Sequence, residues 1–366
     1  MTSLFASRRR RRSATVAGLV SGAAILVAGT AGAYGATTAP AAAPKITVPA
    51  GFSVKVFAQA PKSVSNADDI ARLGDHLFVA FQNGVGSKGE PAPNGNTKST
   101  VVEYDRHGKA VSQWSLTGKV DGLGADSSHR RVVATVNEDG GSSLYTITPG
   151  ARSSAQVMHY RYGPKPLPHG GGTDSVLERH GKLYITASAP EPTTPNGSTY
   201  DKPALYEVKL VGQTAQWTPV VADNARATNL VTGKPETLNL SDPDSTENVP
   251  SSVPGVGGSL LLDSQGDSEL VFLNTKHGSA ADHVRVLHLS AQVDDSAFAT
   301  GDEGALYVVD SKTGDILKIT GHFAKGQAFT SSDSLSTIDL KTGQVSAFGT
   351  GISAPKGLLY VPDAAH

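Results

Sequence analysis

The sequence predicts an all-β fold, and three observations support this prediction. Glycine and proline are frequent, with 40 Gly and 21 Pro in 366 residues, and only 18% of the residues are charged, which is typical of a turn-rich β protein. Segments such as "LYVVDSKTGDILKI" and "STIDLKTGQVSAF" place a glycine between runs rich in Val, Ile and Leu, which indicates β-hairpins. Long helical periodicity is absent from the sequence.

The first 33 residues have the pattern of a secretory signal peptide. Five arginines, Arg8 to Arg12, precede a small-residue apolar segment that ends in Ala31-Gly32-Ala33, and we expect cleavage after Ala33. The adjacent arginines leave twin-arginine export open beside the general route. The apolar segment is shorter than the ~20 residues that span a bilayer. We therefore expect a secreted mature protein that is soluble and has no membrane contact once the leader is removed.

The remaining sequence divides into three parts. Residues 34–45 are rich in Ala, Pro and Thr and predict a disordered tether. Residues 46–362 form short alternating segments and predict a single domain, followed by a tail at 363–366. The chain has no cysteine, so we expect neither disulfides nor a cysteine-linked lipid. Without the five leader arginines, 27 basic side chains face 33 acidic ones, which argues against a nucleic-acid partner.

An internal repeat specifies the architecture further. Putative inner strands start at five aspartates and one lysine, at intervals of roughly 50 to 70 residues: Asp69, Asp121, Asp174, Asp244, Asp295 and Lys356. A unit of this size with about four antiparallel strands matches a propeller blade. The sequence therefore predicts a six-bladed β-propeller whose short last blade is completed, and the ring closed, by the N-terminal strands near Ile46 to Phe57. Seven blades are the alternative, because residues 321–333 are either an insertion or part of another blade.

Several segments carry a resemblance to known proteins. "GFSVKVFAQAP", "LFVAFQNGVGSKGEP", "PHGGGTDSV" and "LLLDSQGD" resemble a family of exported bacterial, especially actinobacterial, single-domain propellers without a known activity. The resemblance covers nearly the whole mature chain and implies the fold. The chain is more loosely similar to NHL-repeat proteins, gluconolactonase-like hydrolases and soluble glucose dehydrogenases that use pyrroloquinoline quinone. The hydrolases imply a metal held by Glu, Asn and Asp. Glu247 and Asn248 have two of these residue types, but they are adjacent in one unit.

Candidate ligand-binding residues form two sets on one face of the predicted ring. The inner-strand positions Asp69, Asp121, Asp174, Asp295 and Lys356 are expected around the axis. A second set follows the next strand of each unit and is expected close behind: Asn83, Asn137, Ser188 and Asp310. Oxygen ligands from several loops suit Ca²⁺, which takes 6 to 8 oxygens, so Asp244, Glu247 and Asp263 are candidate metal ligands. At each single position, an aspartate that caps its own turn is the alternative.

His169 in "PHGGGTDSV" is the candidate catalytic residue, because an imidazole titrates near neutral pH and can act as a general base. The alternative is a structural role in a tight glycine-rich loop. No known catalytic motif is present. We therefore expect a monomeric binding protein that takes a small molecule or an extracellular partner at the axial mouth, without a firm catalytic signature. The alternative function is a calcium-dependent, lactonase-like hydrolase, or less favourably a quinone-dependent sugar dehydrogenase, which His169 would also suit.

Overall fold

The structure, a computed structural model, describes residues 45–274 and 284–363. The predicted leader, nearly all of the predicted tether and the last residues of the predicted tail lie outside the described residues. The described chain is all-β, and its helical segments are single turns at Ser127–His129, Ser153–Gln156 and Gln265–Asp267. No helix in the described ranges has the length and apolar character needed to cross a membrane.

The strands are numbered in chain order. Those before residue 223 are β1 Phe52–Gln59, β2 Ala67–Leu73, β3 His76–Phe81, β4 Lys98–Tyr104, β5 Ala110–Thr117, β6 Val120–Asp126, β7 Arg131–Val136, β8 Ser143–Ile147, β9 Val157–Gly163, β10 Val176–Arg179, β11 Lys182–Thr186, β12 Pro203–Val211 and β13 Thr214–Ala222. Those after it are β14 Arg226–Asn229, β15 Pro235–Thr237, β16 Pro243–Asn248, β17 Leu260–Ser264, β18 Glu269–Leu273, β19 Val284–His288, β20 Ser296–Phe298, β21 Glu303–Asp310, β22 Asp315–His322, β23 Ala328–Thr330, β24 Leu335–Asp339, β25 Gln344–Gly349 and β26 Pro355–Pro362.

Hydrogen bonding arranges these strands in five sheets, and we describe them as six antiparallel units from the inner strand outward. Unit 1 is β2-β3-β4-β5, unit 5 is β20-β23-β24-β25, and unit 6 is β26-β21-β22-β1. Units 2 (β6-β7-β8-β9) and 3 (β10-β11-β12-β13) form one eight-stranded sheet because their outer strands β9 and β13 pair in parallel. Unit 4 is β16-β17-β18-β19, extended by β14 and β15. The arrangement is propeller-like, as the sequence predicted.

The inner strands follow one another around an axis. β2 contacts β6, β6 contacts β10, β10 contacts β16, β16 contacts β20, β20 contacts β26, and β26 contacts β2. Apolar side chains fill the space between neighbouring units, since alternate residues of a strand point to opposite faces. Leu260 and Leu262 of β17 pack towards unit 3, whereas Leu261 packs with Phe298 of unit 5. The core is therefore a series of layers between units.

The strands of units 5 and 6 are interleaved along the chain, which the sequence did not predict. The chain leaves β20 of unit 5, forms β21 and β22 of unit 6, and returns to unit 5 for β23 to β25. Asp310 therefore belongs to the same unit as Lys356 and not, as predicted, to the unit of Asp295. Residues 321–333 are not an insertion, because they contain the end of β22 and all of β23. β1 pairs with β22 and forms the outer edge of unit 6.

Candidate functional site

The inner strands are irregular at one end of the axis, where two residues face a single residue of the neighbouring strand. β-Bulges of this kind interrupt the pairing of β2, β6, β16 and β26. Before β10 and β20 the same arrangement arises when Thr186 bonds to both Asp174 and Ser175, and Ser331 to both Asp294 and Asp295. Bulges change the direction of side chains and are frequent next to binding sites. Here they provide two consecutive residues per unit.

These residues define two layers. The mouth layer contains the first residue of each pair: Asp68, Asp121, Asp174, Asp244, Asp294 and Lys356. The link layer contains the second residue of each pair: Asp69, Gly122, Ser175, Ser245, Asp295 and Gly357. All of them except Gly122 line one axial cavity of about 260 Å³, together with Gln82, Lys119, Glu138, Gln265 and Ser311. We call this cavity the axial mouth.

Both lysines of the axial mouth are already paired with carboxylates. Lys119 Nζ lies 2.9 Å from Asp121 Oδ1 and also contacts Glu138. Burial alone would lower the pKa of Lys119, but these two carboxylates outweigh it and raise that pKa. Lys356 Nζ donates to Asp294 Oδ1 at 2.9 Å, where Gln265 also donates at 2.8 Å. The lysines thus neutralise two sides of the mouth and leave the other carboxylates without a cation.

Burial and repulsion from nearby carboxylates disfavour the ionised form of the other mouth-layer aspartates. Burial raises the pKa of Asp68 to about 7, although Lys356 and Lys119 oppose the rise. Burial, reinforced by neighbouring carboxylates, also raises the pKa of Asp174 and Asp244 well above the usual range, and these two groups share a hydrogen bond. Among the described residues, no hydrogen bond holds the carboxyl group of Asp68. A ligand that brings positive charge would relieve this repulsion.

The link layer joins neighbouring units. Asp69 accepts hydrogen bonds from its own neighbour Ile70 N and from Leu123 N of unit 2, both at 2.6 Å. Asp295 repeats this geometry with Ser296 N and with Leu358 N of unit 6, both at 2.7 Å. Burial raises the pKa of Asp295 to about 7, and these N–H groups counteract the rise. The two aspartates therefore bind backbone at the floor of the mouth.

Glycine in the link layer permits close contact between units. A Cβ atom on Gly122 would lie 2.5 Å from the Asp174 carbonyl oxygen, and one on Gly357 would lie 2.7 Å from the Asp68 carbonyl oxygen. Neither distance is compatible with a side chain, because the obstructing atoms are backbone of the next inner strand. Each of these glycines precedes the residue whose N–H binds an aspartate of the preceding unit, Leu123 after Gly122 and Leu358 after Gly357.

The structure brings the predicted inner-strand residues together but changes the position of two of them. Asp69, Asp121, Asp174, Asp244, Asp295 and Lys356 all line the axial mouth. Asp69 and Asp295, however, occupy the link layer, and the equivalents of Asp121 are Asp68 and Asp294. The "DD" doublets are visible in the sequence, but only the bulge register decides which aspartate of each doublet faces the mouth. Ligand binding by these residues stays a prediction.

The second predicted set does not line the axial mouth. Asn83 and Asn137 adopt positive φ values of 54° and 70° and accept bonds from Ser65 N and Lys119 N, both at 3.0 Å. Asp310 accepts from Ser353 N at 2.8 Å. Ser188 donates to Asp242 at 3.2 Å. These side chains hold the loops that enter the inner strands. The residues beside Asn83 and Asn137, which are Gln82 and Glu138, reach the mouth instead.

The three candidate metal ligands lie in different places. Asp244 lines the axial mouth, whereas Glu247 lines a second cavity of about 220 Å³ further along the axis. Burial raises the pKa of Glu247 to about 8. Asp263 is fully buried in β17 and lines neither cavity. Within residues 45–274 and 284–363, no three His, Asp or Glu side chains form a group that could hold a metal. The predicted trio is not one coordination sphere.

His169 is fully buried, away from the axial mouth. Its Nε2 lies 2.5 Å from the Gly172 carbonyl oxygen and its Nδ1 lies 3.1 Å from the Tyr206 hydroxyl. A carbonyl only accepts, so Nε2 carries the proton and Nδ1 accepts from Tyr206. Burial lowers the pKa of the His169 imidazole. With both nitrogens engaged, the ring anchors its loop to β12, which favours the structural role over the catalytic one.

Sequence reasoning missed some residues of the axial mouth. Lys356 was expected to be its only cation, but Lys119 is the second. Lys119 and Glu138 flank Asp121 and Asn137, and a charged residue at the end of a strand gives no sign of where it points. Gln265 lies two residues after Asp263, beyond the end of β17. The sequence signal that could have found these residues is that they lie close along the chain to predicted ring positions.

Comparison with known proteins identifies no family and finds only distant similarity to solved structures. No family model matches the chain, and no curated protein matches it. Among solved structures, the chain is similar to one described as a nidogen/laminin complex, with 10% identity, coverage of 84% of this chain and 97% of that chain, and a TM-score of 0.49. It is also similar to a periplasmic gluconolactonase of Pseudomonas aeruginosa, with 13% identity, coverage of 80% of this chain and 88% of that chain, and a TM-score of 0.43. A gluconolactonase of Xanthomonas campestris has 12% identity, coverage of 86% of this chain and 84% of that chain, and a TM-score of 0.43.

Proposed function

We propose that this protein is an exported binding protein whose axial mouth holds a small organic cation, such as a diamine or polyamine. The main observation behind this proposal is the excess of carboxyl groups over ammonium groups in the mouth. Eight carboxyl groups and two ammonium groups line a single cavity of about 260 Å³. Ammonium groups of a ligand would donate charge-assisted hydrogen bonds to the carboxylates there, and such bonds are stronger than neutral ones. Ligand binding would also offset the mutual repulsion of the mouth layer.

The surroundings of the mouth support an elongated ligand. Gln265, Asp294 and Lys356 also line an adjoining recess of about 380 Å³, formed further by residues that include Gln292 and Asp333. The two spaces together are larger than a single amino group needs, and fall in the range of ordinary ligand sites. A linear chain with separated amino groups could occupy both.

The proposal is tested with the mature protein and a series of amines. Titration calorimetry at low ionic strength should show binding of putrescine or spermidine and no binding of 1,4-butanediol, which has the same chain length as putrescine without charge. Asp68→Asn should weaken amine binding about 10-fold, because it removes one uncompensated carboxylate. Asp75→Asn is the matched control, since the Asp75 side chain is 80% exposed and outside the mouth.

Two outcomes would overturn the proposal. One is equal weakening by Asp68→Asn and Asp75→Asn, which would assign binding to overall charge. The other is calcium-dependent hydrolysis of a lactone by the wild type that is lost in Asp244→Asn, which would establish the hydrolase alternative instead.

We further propose that the six units are six blades of one closed propeller, with β1 as the closing strand. Support comes from the cyclic contacts of the inner strands and from the pairing of β1 with β22. Removal of residues up to about Val64 should unfold the mature protein, because it exposes the edge of β22 and apolar surface of unit 6. Removal up to Lys45 is the control and should leave the melting temperature unchanged. Equal melting of the two truncations would contradict closure by β1.

A further inference from the structure

One position in each unit lies opposite the inner-strand bulge, on the second strand. The residues at this position are Ala80, Thr135, Thr186, Asp263, Ser331 and Val309, in unit order. Thr135 donates to the carbonyl oxygen of Asp174, and Thr186 donates to that of Asp244 at 2.7 Å. In both cases the acceptor is the mouth-layer residue of the next unit. The threonine hydroxyl thus links two units.

In unit 4 this position is occupied by Asp263. The corresponding mouth-layer residue of the next unit is Asp294, whose carbonyl oxygen is an acceptor. A carboxylate is also an acceptor and cannot donate to it. Accordingly, Oδ1 and Oδ2 of Asp263 are both buried, and neither has a hydrogen-bond partner among the described residues. A buried carboxylate without a partner is costly, and a positive group between the two acceptors would remove that cost.

A second buried oxygen without a partner faces the same space. Asp263 pairs with Leu270, and residues paired across an antiparallel ladder share a face. Leu270 packs in the layer between units 4 and 5, as does Phe298 of β20. Ser296 lies two residues before Phe298 on the same face, and its Oγ is buried without a partner in the described chain. Asp263 and Ser296 therefore approach this layer from opposite sides.

From this geometry we propose a buried site for a divalent cation, Ca²⁺ in particular, between units 4 and 5, held by the Asp263 carboxylate, the Ser296 hydroxyl and the Asp294 carbonyl oxygen. All three ligands are oxygens, which suits a hard cation, and Ca²⁺ accepts mixed carboxylate, hydroxyl and carbonyl sets completed by water. The site is behind the axial mouth and does not depend on the organic ligand proposed for it. Its role is to join units 4 and 5 at the place where threonine joins unit 2 to unit 3 and unit 3 to unit 4.

The test compares Asp263→Thr with the wild type. The variant places at position 263 the residue found at the same position of units 2 and 3, so it should fold and form the direct hydrogen bond to the next unit. Thermal unfolding of chelator-treated wild-type protein should rise by about 4 °C when Ca²⁺ is added far above its dissociation constant. Asp263→Thr should show no rise, and calorimetry should detect one Ca²⁺ per wild-type chain and none in the variant.

Control variants separate this site from the axial mouth. Asp68→Asn should keep the full response to Ca²⁺, because Asp68 lies outside the buried site. Asp263→Asn should lose the response, and it serves as a second variant if Asp263→Thr fails to fold. Loss of the response in Asp68→Asn with retention in Asp263→Asn would place the cation in the mouth and overturn the proposal. An unchanged wild-type melting temperature in Ca²⁺, or the same rise in Na⁺ alone, would also overturn it.

Discussion

The mouth layer and the link layer consist of adjacent residues of the same bulges, yet their side chains have opposite effects. Burial raises the pKa of both Asp68 and Asp69, but Asp68 has no hydrogen bond in the described chain. Asp69, one residue later, accepts two backbone N–H groups and connects two units. The comparison shows that residue type alone does not decide between binding and stability. The register at the bulge does.

The largest expected effect is steric and lies in the link layer. Gly357→Ala should lower the free energy of unfolding by about 3 kcal/mol, because the new Cβ would approach the Asp68 carbonyl oxygen to 2.7 Å and the Asp69 Cα to 2.8 Å. Gly301→Ala is the matched control, since a Cβ there meets nothing closer than 3.4 Å, and should cost less than about 1 kcal/mol. Urea unfolding measures both. Equal costs would show that the units are not in close contact at Gly357.

A smaller effect is expected from the aspartates of a single bulge. Asp69→Ala should lower the free energy of unfolding by about 2 kcal/mol, because it removes the acceptor of two backbone hydrogen bonds and leaves the Leu123 N–H buried without a partner. Asp68→Ala should leave that free energy unchanged or raise it, since it removes a carboxylate that has no hydrogen bond. The two variants have the same chemistry one residue apart. Destabilisation by Asp68→Ala as large as that by Asp69→Ala would remove the distinction between the layers.

Ser175 provides a weaker version of the same link. Its hydroxyl contacts Thr246 Oγ1 at 3.0 Å and accepts from Thr246 N at 3.2 Å, so a neutral group replaces the carboxylates of Asp69 and Asp295. Ser175→Ala should cost about 1 kcal/mol in urea unfolding, less than Asp69→Ala, because hydrogen bonds to neutral groups contribute less. A cost above that of Asp69→Ala would contradict this ranking.

A further expected effect concerns pH. Burial raises the pKa of Asp68 from 3.8 to about 7, so between these values the native state binds more protons than the unfolded state. The stability contributed by protonated Asp68 is present at low pH and is lost as the pH rises through about 7. Asp68→Asn removes this dependence. The difference in urea unfolding midpoint, variant minus wild type, should therefore be larger at pH 8 than at pH 5. Parallel midpoints at the two pH values would contradict the assignment.

The sequence predicted the fold class and most of the ring because both depend on repetition. An aspartate recurs at the start of each inner strand but the last, and this periodicity survives differences in loop length. It could not distinguish Asp68 from Asp69, because either aspartate of the doublet could face the mouth. Which of them does so depends on how β2 pairs with β3 at the bulge, and the sequence alone does not show this pairing. It assigned Asp310 to the wrong unit because β21 follows β20 at the spacing of a regular unit, although β21 pairs with β26.

The roles of individual residues were harder to predict from the sequence than their positions in the fold. Asp263 follows an apolar run, as Asn83 and Asn137 do, but only the structure shows that Asp263 is buried without a donor while the asparagines hold turns. His169 next to three glycines was compatible with either of two roles. The deciding contact is with Tyr206, 37 residues away, and spacing along the chain carries no signal for such a contact.

The interleaved chain order of the strands in units 5 and 6 has a consequence for the order in which the units can form during synthesis. β1 appears early in the chain, but its partner β22 follows some 260 residues later, and the inner strand of the same unit, β26, comes later still. Until then the edge of β1 is unpaired, and unit 5 is interrupted by strands that belong elsewhere. The last two units must therefore form together after nearly the whole chain has been made. On the general export route of the proposed secreted protein, the proposed ring would stay open until that point and would close on the far side of the membrane.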